Sequence, residues 1–174
     1  MKTYITLLRA VNVSGVNKIK MKDLAEMFLG LGFQNVRTYI QSGNVSFETK
    51  SSKTSELDKK IEEEIQKVFK LNISSITLEK KSLEEVIGSN PFRKKEGKAL
   101  YVMFMKEAPK IDPKEVIDPV KDRTEEYFLS EKQIYLHFPN GYGKTKLSNP
   151  FLEKKLKVVA TTRNWNTLNA LVLL

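Results

Sequence analysis

The sequence predicts an α+β chain made of two β-α-β-β-α-β halves, each a mostly antiparallel sheet with helices on one face. Three observations carry that expectation. Short runs rich in β-branched and aromatic residues alternate with longer stretches whose apolar residues recur at helical spacing. Some strand-like runs are separated by only a few turn-forming residues, which makes the neighbours antiparallel. The same element order, though not the same residues, then comes a second time; this is the ferredoxin-like arrangement.

In the first half, Tyr4 to Val11 reads as a strand, with Ile5, Leu7 and Val11 on one face beside Arg9. A loop through Asn12, Ser14, Gly15 and Asn17 follows. Met21, Leu24, Ala25, Phe28 and Leu31 repeat at helical spacing, and Gly32 with Phe33 supplies the stop. Val36 to Ile40 and Val45 to Phe47 flank the hairpin signal Gln41-Ser42-Gly43-Asn44. Ser55 and Asp58 form a capping-box pattern ahead of the stripe Leu57, Ile61, Ile65 and Val68, and Ile73 to Leu78 closes the half as a strand.

In the second half a short helix is expected from a box at Ser82 and Glu85, ended by Asn90-Pro91-Phe92. Leu100 to Met105 is a strand, and Asp112-Pro113-Lys114-Glu115 combines a cap, an early proline and an acid at the positive helix end. Glu126 to Leu129 and Gln133 to Phe138 form a hairpin. Asn149-Pro150 opens a helix, Val158 and Val159 make a last strand, and Trp165, Leu168, Leu171 and Val172 line a closing helix. Polar residues and Asn90-Pro91 cluster between Lys80 and Lys98. The halves are therefore placed at 1–80 and 81–174, as separate domains or around a shared core.

At 174 residues, 40% hydrophobic and 29% charged, the chain has the composition of an ordinary globular protein. Its net charge of +9 and isoelectric point near 9.5 would attract phosphate-bearing partners if the lysines share a face, or simply keep a lysine-rich surface solvated. Cysteine is absent, which excludes disulfides, thiol catalysis and cysteine-held metals. The single histidine, His137, excludes a multi-histidine site within one chain, and no carboxylate spacing suggests magnesium. No metal or cofactor is expected. The apolar start is short and interrupted by Arg9, so the expected location is cytoplasmic, with no membrane association.

Three polar regions are candidates for chemistry, the third being the tail, which holds both a basic loop and the segment before the last helix. Arg9 with Asn12, at a strand end, either grips a carboxylate or phosphate or pairs with an internal acid. Gln41, Ser42 and Asn44 either offer amides and exposed backbone to an anion or only turn a hairpin. Gly141, Gly143, Lys144 and Lys146 form a basic loop without phosphate-loop spacing. Thr161-Thr162-Arg163-Asn164 abuts the last helix, where free N–H groups and Arg163 would suit an anion, or Thr162 and Asn164 would cap the helix. Ser42 has no activating base in its neighbourhood of sequence, and His137 sits in an apolar strand.

Several of these segments together resemble the bacterial domain-of-unknown-function family 1697. The resemblance rests on Leu8-Arg9-Ala10-Val11-Asn12-Val13-Ser14-Gly15, Asn17-Lys18-Ile19-Lys20-Met21, Leu31-Gly32-Phe33, the stretch from Val36 to Val45, and Thr162-Arg163-Asn164-Trp165-Asn166-Thr167. It is dense in the first fifty residues and the last thirty, and looser between. Lys144-Thr145-Lys146-Leu147-Ser148-Asn149 resembles the family's basic Ser-Lys-Leu segment, with Thr145 where serine is usual, which keeps a hydroxyl in place. The resemblance implies the same α+β fold with ferredoxin-like halves, and no activity. It also implies that Arg9, Asn12, Lys18, Gln41, Ser42, Asn44, Lys146, Arg163 and Asn164 occupy recurrent polar positions.

The functional expectation is a binding or regulatory module for an anionic ligand, a phosphate-containing metabolite or nucleic acid. Its candidate ligand-binding residues are Arg9, Asn12, Lys18, Gln41, Ser42, Asn44, Lys144, Lys146, Arg163 and Asn164. The alternatives are a small enzyme acting on an anionic substrate, with Arg9 and Arg163 orienting it, and an interaction scaffold that pairs through its sheet edges. Composition leaves the oligomeric state open.

Overall fold

β1 (Lys2–Leu8) is the strand around which the first half is built. In the computed structural model, which describes residues 1–174, it is flanked on one side by β3 (Asn44–Thr49) and on the other by β4 (Ser75–Glu79), both antiparallel. β2 (Gln34–Tyr39) pairs outside β3, giving the order β2-β3-β1-β4. The second half repeats that order with β5 (Leu100–Met105), β6 (Glu126–Ser130), β7 (Gln133–His137) and β8 (Ala160–Asn164), arranged β6-β7-β5-β8. Two four-stranded antiparallel sheets with helices make this an α+β fold of two similar halves.

Alternation decides which side of each sheet meets its helices. Tyr4 and Leu8 point to the same side as Phe47 and Val45, and meet α1 (Met21–Gly30) and α2 (Thr54–Phe69) through Leu24, Phe28, Leu57, Ile61 and Ile65. Val11, which the sequence reading placed with Ile5 and Leu7, packs in this helix-side core instead. The reason is that β1 stops at Leu8, three residues earlier than the apolar run suggests, and the chain turns. α1 ends as its composition predicts. Gly32 adopts φ +85°, its N–H bonds Leu29 O, Phe33 N bonds back to Phe28 O, and the two phenylalanine rings meet at 5.9 Å.

The start of α2 departs from the expected capping box. Lys53 occupies the cap without a side-chain hydrogen bond, and Asp58 faces the sheet as a buried carboxylate. Its Oδ1 accepts from Ser75 Oγ at 2.8 Å and from Thr77 Oγ1 at 2.7 Å. Thr77 uses its only hydroxyl proton there, so Thr6, 2.7 Å away, must donate to Thr77. One carboxylate therefore orders three hydroxyls on β1 and β4 and fixes α2 across them.

In the second half, Met103, Ile134, Leu136 and Phe138 pack with Ile117 of α4 (Pro113–Ile117) and with Leu152 and Leu156 of α5 (Asn149–Leu156). Asp112 caps α4, its side chain accepting from Lys114 N at 3.0 Å ahead of Pro113. Ser148, not Asn149, caps α5. α3 (Lys80–Gly88) begins directly from β4, two residues before its expected box. By contact density the chain divides into Met1–Glu85 with Ala170–Leu174, and Val86–Asn169. The carboxy-terminal residues belong to the first unit, where Leu174 O accepts from Arg37 Nη1 at 3.1 Å.

Backbone bonds reveal a repeat that the residues conceal. Leu8 N donates to Gly43 O and Arg9 N to Ser74 O; Met105 N donates to Lys132 O and Lys106 N to Val159 O in the corresponding places. The first N–H of the last strand meets a helix glutamate in both halves: Ser75 N with Glu62 Oε1 at 2.7 Å, Ala160 N with Glu153 Oε2 at 2.9 Å.

Asp58→Ala should cost about 3 kcal/mol, because it strands two buried hydroxyls along with the helix contact. Urea unfolding of the two proteins measures this; a loss below about 1 kcal/mol would show that the hydroxyls re-pair without the carboxylate.

Candidate functional site

The chain leaves β1 at Arg9 and enters α1 at Met21, and in between the backbone repeatedly visits left-handed conformations. Ala10, Asn12, Ser14, Gly15 and Asn17 all have φ between +49° and +76°. Alanine has no local compensation for this conformation, so a set of non-glycine residues held there needs bonds that impose it. They are present. Asn17 Nδ2 donates to Ala10 O at 2.9 Å, Asn12 N to Asn17 O at 3.1 Å, and Val16 N to Val13 O at 2.9 Å.

Asn12 is the centre of this loop. Its Oδ1 accepts from Ile19 N at 2.9 Å, and its Nδ2 donates to Ile19 O at 2.9 Å and to Gln41 O at 2.8 Å. The last bond joins the loop of residues 9–20 to the β2–β3 turn of residues 40–43. Asn44 organises that turn from beneath: fully buried, it donates to Tyr39 O at 3.0 Å and to Ser42 Oγ at 2.8 Å. Gly43 is required twice over. It has φ +77°, and a Cβ there would lie 2.8 Å from Leu8 Cβ and 3.2 Å from Val11 Cβ. A third segment joins through Arg9 N, which donates to Ser74 O at 2.9 Å just before β4.

The sequence-predicted residues of the first unit thus share one end of its sheet, in different roles. Asn12 and Asn44 bind backbone and position the loops. Ser42 accepts from Asn44, and Arg9 is half-buried. Lys18 and Gln41 are exposed, and Lys18 Cε lies close to the Ser14-Gly15 turn, 3.6 Å from where a Gly15 Cβ would be. Lys20, not singled out from sequence, is exposed beside them. So are Val13, Val16 and Ile40, at 54%, 60% and 51% exposure, which makes this end apolar as well as basic. Ile40 is also left-handed at φ +50°, a costly conformation for a β-branched residue.

Lys144, Lys146, Arg163 and Asn164 belong to the second unit. Lys144 and Lys146 are exposed on the expected loop. Thr161 to Asn164, however, is not a loop with free N–H groups: it is β8, paired with Tyr101 to Phe104 of β5, and Val158-Val159 precedes the strand. β-branched threonines suit a strand, and pairing with β5 takes the backbone groups of Thr161 and Arg163, while Ala160 N is held by Glu153. Arg163 is buried in that strand, donates to Thr161 Oγ1 and Thr162 O, and burial pushes its guanidinium down to about 10. Thr162 Oγ1 donates to Asn149 Oδ1 at 2.9 Å. Asn164 accepts from Thr167 N at 2.8 Å, capping α6 (Trp165–Leu171).

His137 lies in β7 against Phe92 with its Nδ1 buried, and burial, with Lys95 nearby, lowers its pKa. At the opposite end of the first sheet, Ser51, Ser52, Lys53, Thr54, Ser55 and Glu79 line an open recess of about 590 Å³. Tyr4 Oη bridges both backbone groups of Ser52 there. The serine-rich stretch was visible in the sequence, but nothing in it signalled a hollow. No group of three or more histidine, aspartate or glutamate side chains is placed to hold a metal ion. No helix is long and apolar enough to cross a membrane.

Comparison with known proteins gives a family and a fold. The model of the family described as a protein of unknown function (DUF1697) matches residues 1–135. The conserved bacterial protein SP0830 from Streptococcus pneumoniae has a similar structure, with a TM-score of 0.77 at 24% identity, covering 99% of this chain and 97% of that one. No curated protein matches the chain.

Asn12→Ala should destabilise the protein by roughly 2 kcal/mol, since it deletes three hydrogen bonds and leaves alanine at a left-handed position. Urea titration checks this. Unchanged stability would mean that the loops hold their shape without the amide.

Proposed function

Because the chain belongs to the DUF1697 family, which assigns no activity, we propose from its geometry that it is a non-catalytic binding module for a phosphate-bearing polyanion, contacted through residues 9–20 and 40–44. The observation that supports this reading is how the two halves differ at the end of the sheet where the first strand stops. Their sheets share order and matching bonds, yet between the first strand and first helix the first half has residues 9–20 and the second only 106–112. At the hairpin the first half has residues 40–43 and the second only 131–132. Scaffold needs are met by the short versions. The long ones are elaborated, bonded to one another, and present Lys18, Lys20 and Gln41 outward.

The residue types favour binding over catalysis. Residues 9–20 and 40–44 contain no carboxylate and no imidazole, so neither segment itself supplies the usual groups for proton transfer. Ammonium groups and an amide suit phosphate oxygens, while exposed Val13, Val16 and Ile40 offer apolar contact. An exposed surface of this kind fits an extended strand of nucleic acid better than a small metabolite, which gains its affinity from enclosure. The net charge of +9 supplies long-range attraction.

Fluorescence polarisation with labelled single-stranded RNA tests the proposal. Affinity should fall linearly on a log–log salt plot, and Lys18→Ala and Lys20→Ala should each reduce the slope by roughly 0.7. Absence of binding at low ionic strength would refute it. Slope lost at Lys144→Ala or Lys146→Ala instead would move the contact to the second unit.

A further inference from the structure

We propose that the outer edge of β6 is a pairing edge, and that its partner is β6 of a second copy of this chain. A four-stranded sheet exposes two edges, and an edge left open invites another strand. Of the four edges in this protein, three carry a feature that hinders pairing. The first N–H of β4 is taken by Glu62 and that of β8 by Glu153. β2 carries a register shift between Gln34 and Arg37, with Asn35 left-handed at φ +49°, which bends it out of line. β6 has none of these devices. It pairs with β7 in unbroken register from Glu126–His137 to Ser130–Gln133, and it exposes Phe128 at 50% and Leu129 at 40%.

The hydrogen-bond parity of the sheet shows which groups face outward. Phe138 N donates to Ala99 O and Met105 N to Lys132 O, so Ile134, Leu136 and Phe138 direct their backbone groups toward β5. Gln133, Tyr135 and His137 therefore direct theirs toward β6, where Ser130, Phe128 and Glu126 receive them. Tyr127 and Leu129 are left with N–H and C=O pointing away from the sheet and without partners.

That pattern is complementary to itself. Placing two β6 strands antiparallel about a twofold axis at Phe128 sets Tyr127 opposite Leu129 of the second copy, and the reverse. These are the outward-facing residues, so four backbone bonds form. Phe128 then faces its own copy in a non-bonded pair, where side chains approach most closely and aromatic pairs contribute most. Glu126 falls opposite Ser130, so no like charges meet along the strand. Each copy carries +9, and this repulsion is screened by salt. The dimer should strengthen with salt, whereas polyanion binding weakens, which separates this inference from the functional proposal.

Sedimentation equilibrium of the full chain over a wide concentration range, at about 50 mM and about 500 mM salt, is the test. The expected result is a reversible monomer–dimer equilibrium, tighter at high salt. Phe128→Lys should weaken it more than about tenfold by setting like charges face to face. Ser130→Glu, opposite Glu126, should weaken it as well, and Ser130→Lys should not; both positions lie on the outer strand outside the core, and thermal melts check folding. A monomer at every concentration and salt would overturn the proposal, as would a dimer indifferent to Phe128→Lys and to the charge at position 130.

Discussion

The side-chain amide of Asn12 directs all three of its hydrogen bonds at backbone, two to Ile19 and one to Gln41, across a gap that no regular secondary structure closes. A loop of residues 9–20 with five left-handed positions would lose too much conformational entropy to hold one shape unaided. Tying its two ends together, and tying it to the neighbouring turn, makes the remaining polar groups of that sheet end a fixed array. Asn44 does the same for the turn from below. Two asparagines thus act as positioning residues, and the exposed lysines and glutamine are what they position.

Much of this was legible in the sequence, and the reasons differ from element to element. Strong helix stripes and the Gly32 stop emerged correctly because local chemistry decides them: Phe28 and Phe33 meet only if Gly32 takes the left-handed turn. The polar segments around Arg9, Asn12 and Gln41–Asn44 stood out because uncharged hydrogen-bonding groups collect where chain reversals need them. What sequence could not resolve was direction. Asp58 had the spacing of a helix-cap partner, yet it bonds hydroxyls on β4 that lie far along the chain. Thr161 to Asn164 has the composition of a helix cap, and Asn164 does cap α6, but the same four residues also pair with β5 as a strand. Exposure of Val13, Val16 and Ile40 was equally hidden, since apolar residues beside a strand read as core.

The two halves share a strand order and backbone bonds while differing in residues. The pairs Leu8–Gly43 and Met105–Lys132 share geometry without sharing chemistry. Similarity of that kind locates specialisation by contrast. At this end of the sheet the first half has the longer loops, 9–20 and 40–43 against 106–112 and 131–132, and the second half leaves β6 open. If both features are used, the protein presents a polyanion surface on one unit and a self-pairing edge on the other, with opposite responses to ionic strength.

On the proposed function, residues 9–20 and 40–44 are the contact surface for phosphate-bearing ligands. Its most direct test is a titration of isotopically labelled protein with short single-stranded RNA, followed by amide NMR shifts at low salt. Progressive, saturable shifts are expected, concentrated at Ser14, Gly15, Lys18, Lys20 and Gln41, with residues 141–147 little affected. Shifts confined to the second unit, or none at any RNA concentration, would contradict it.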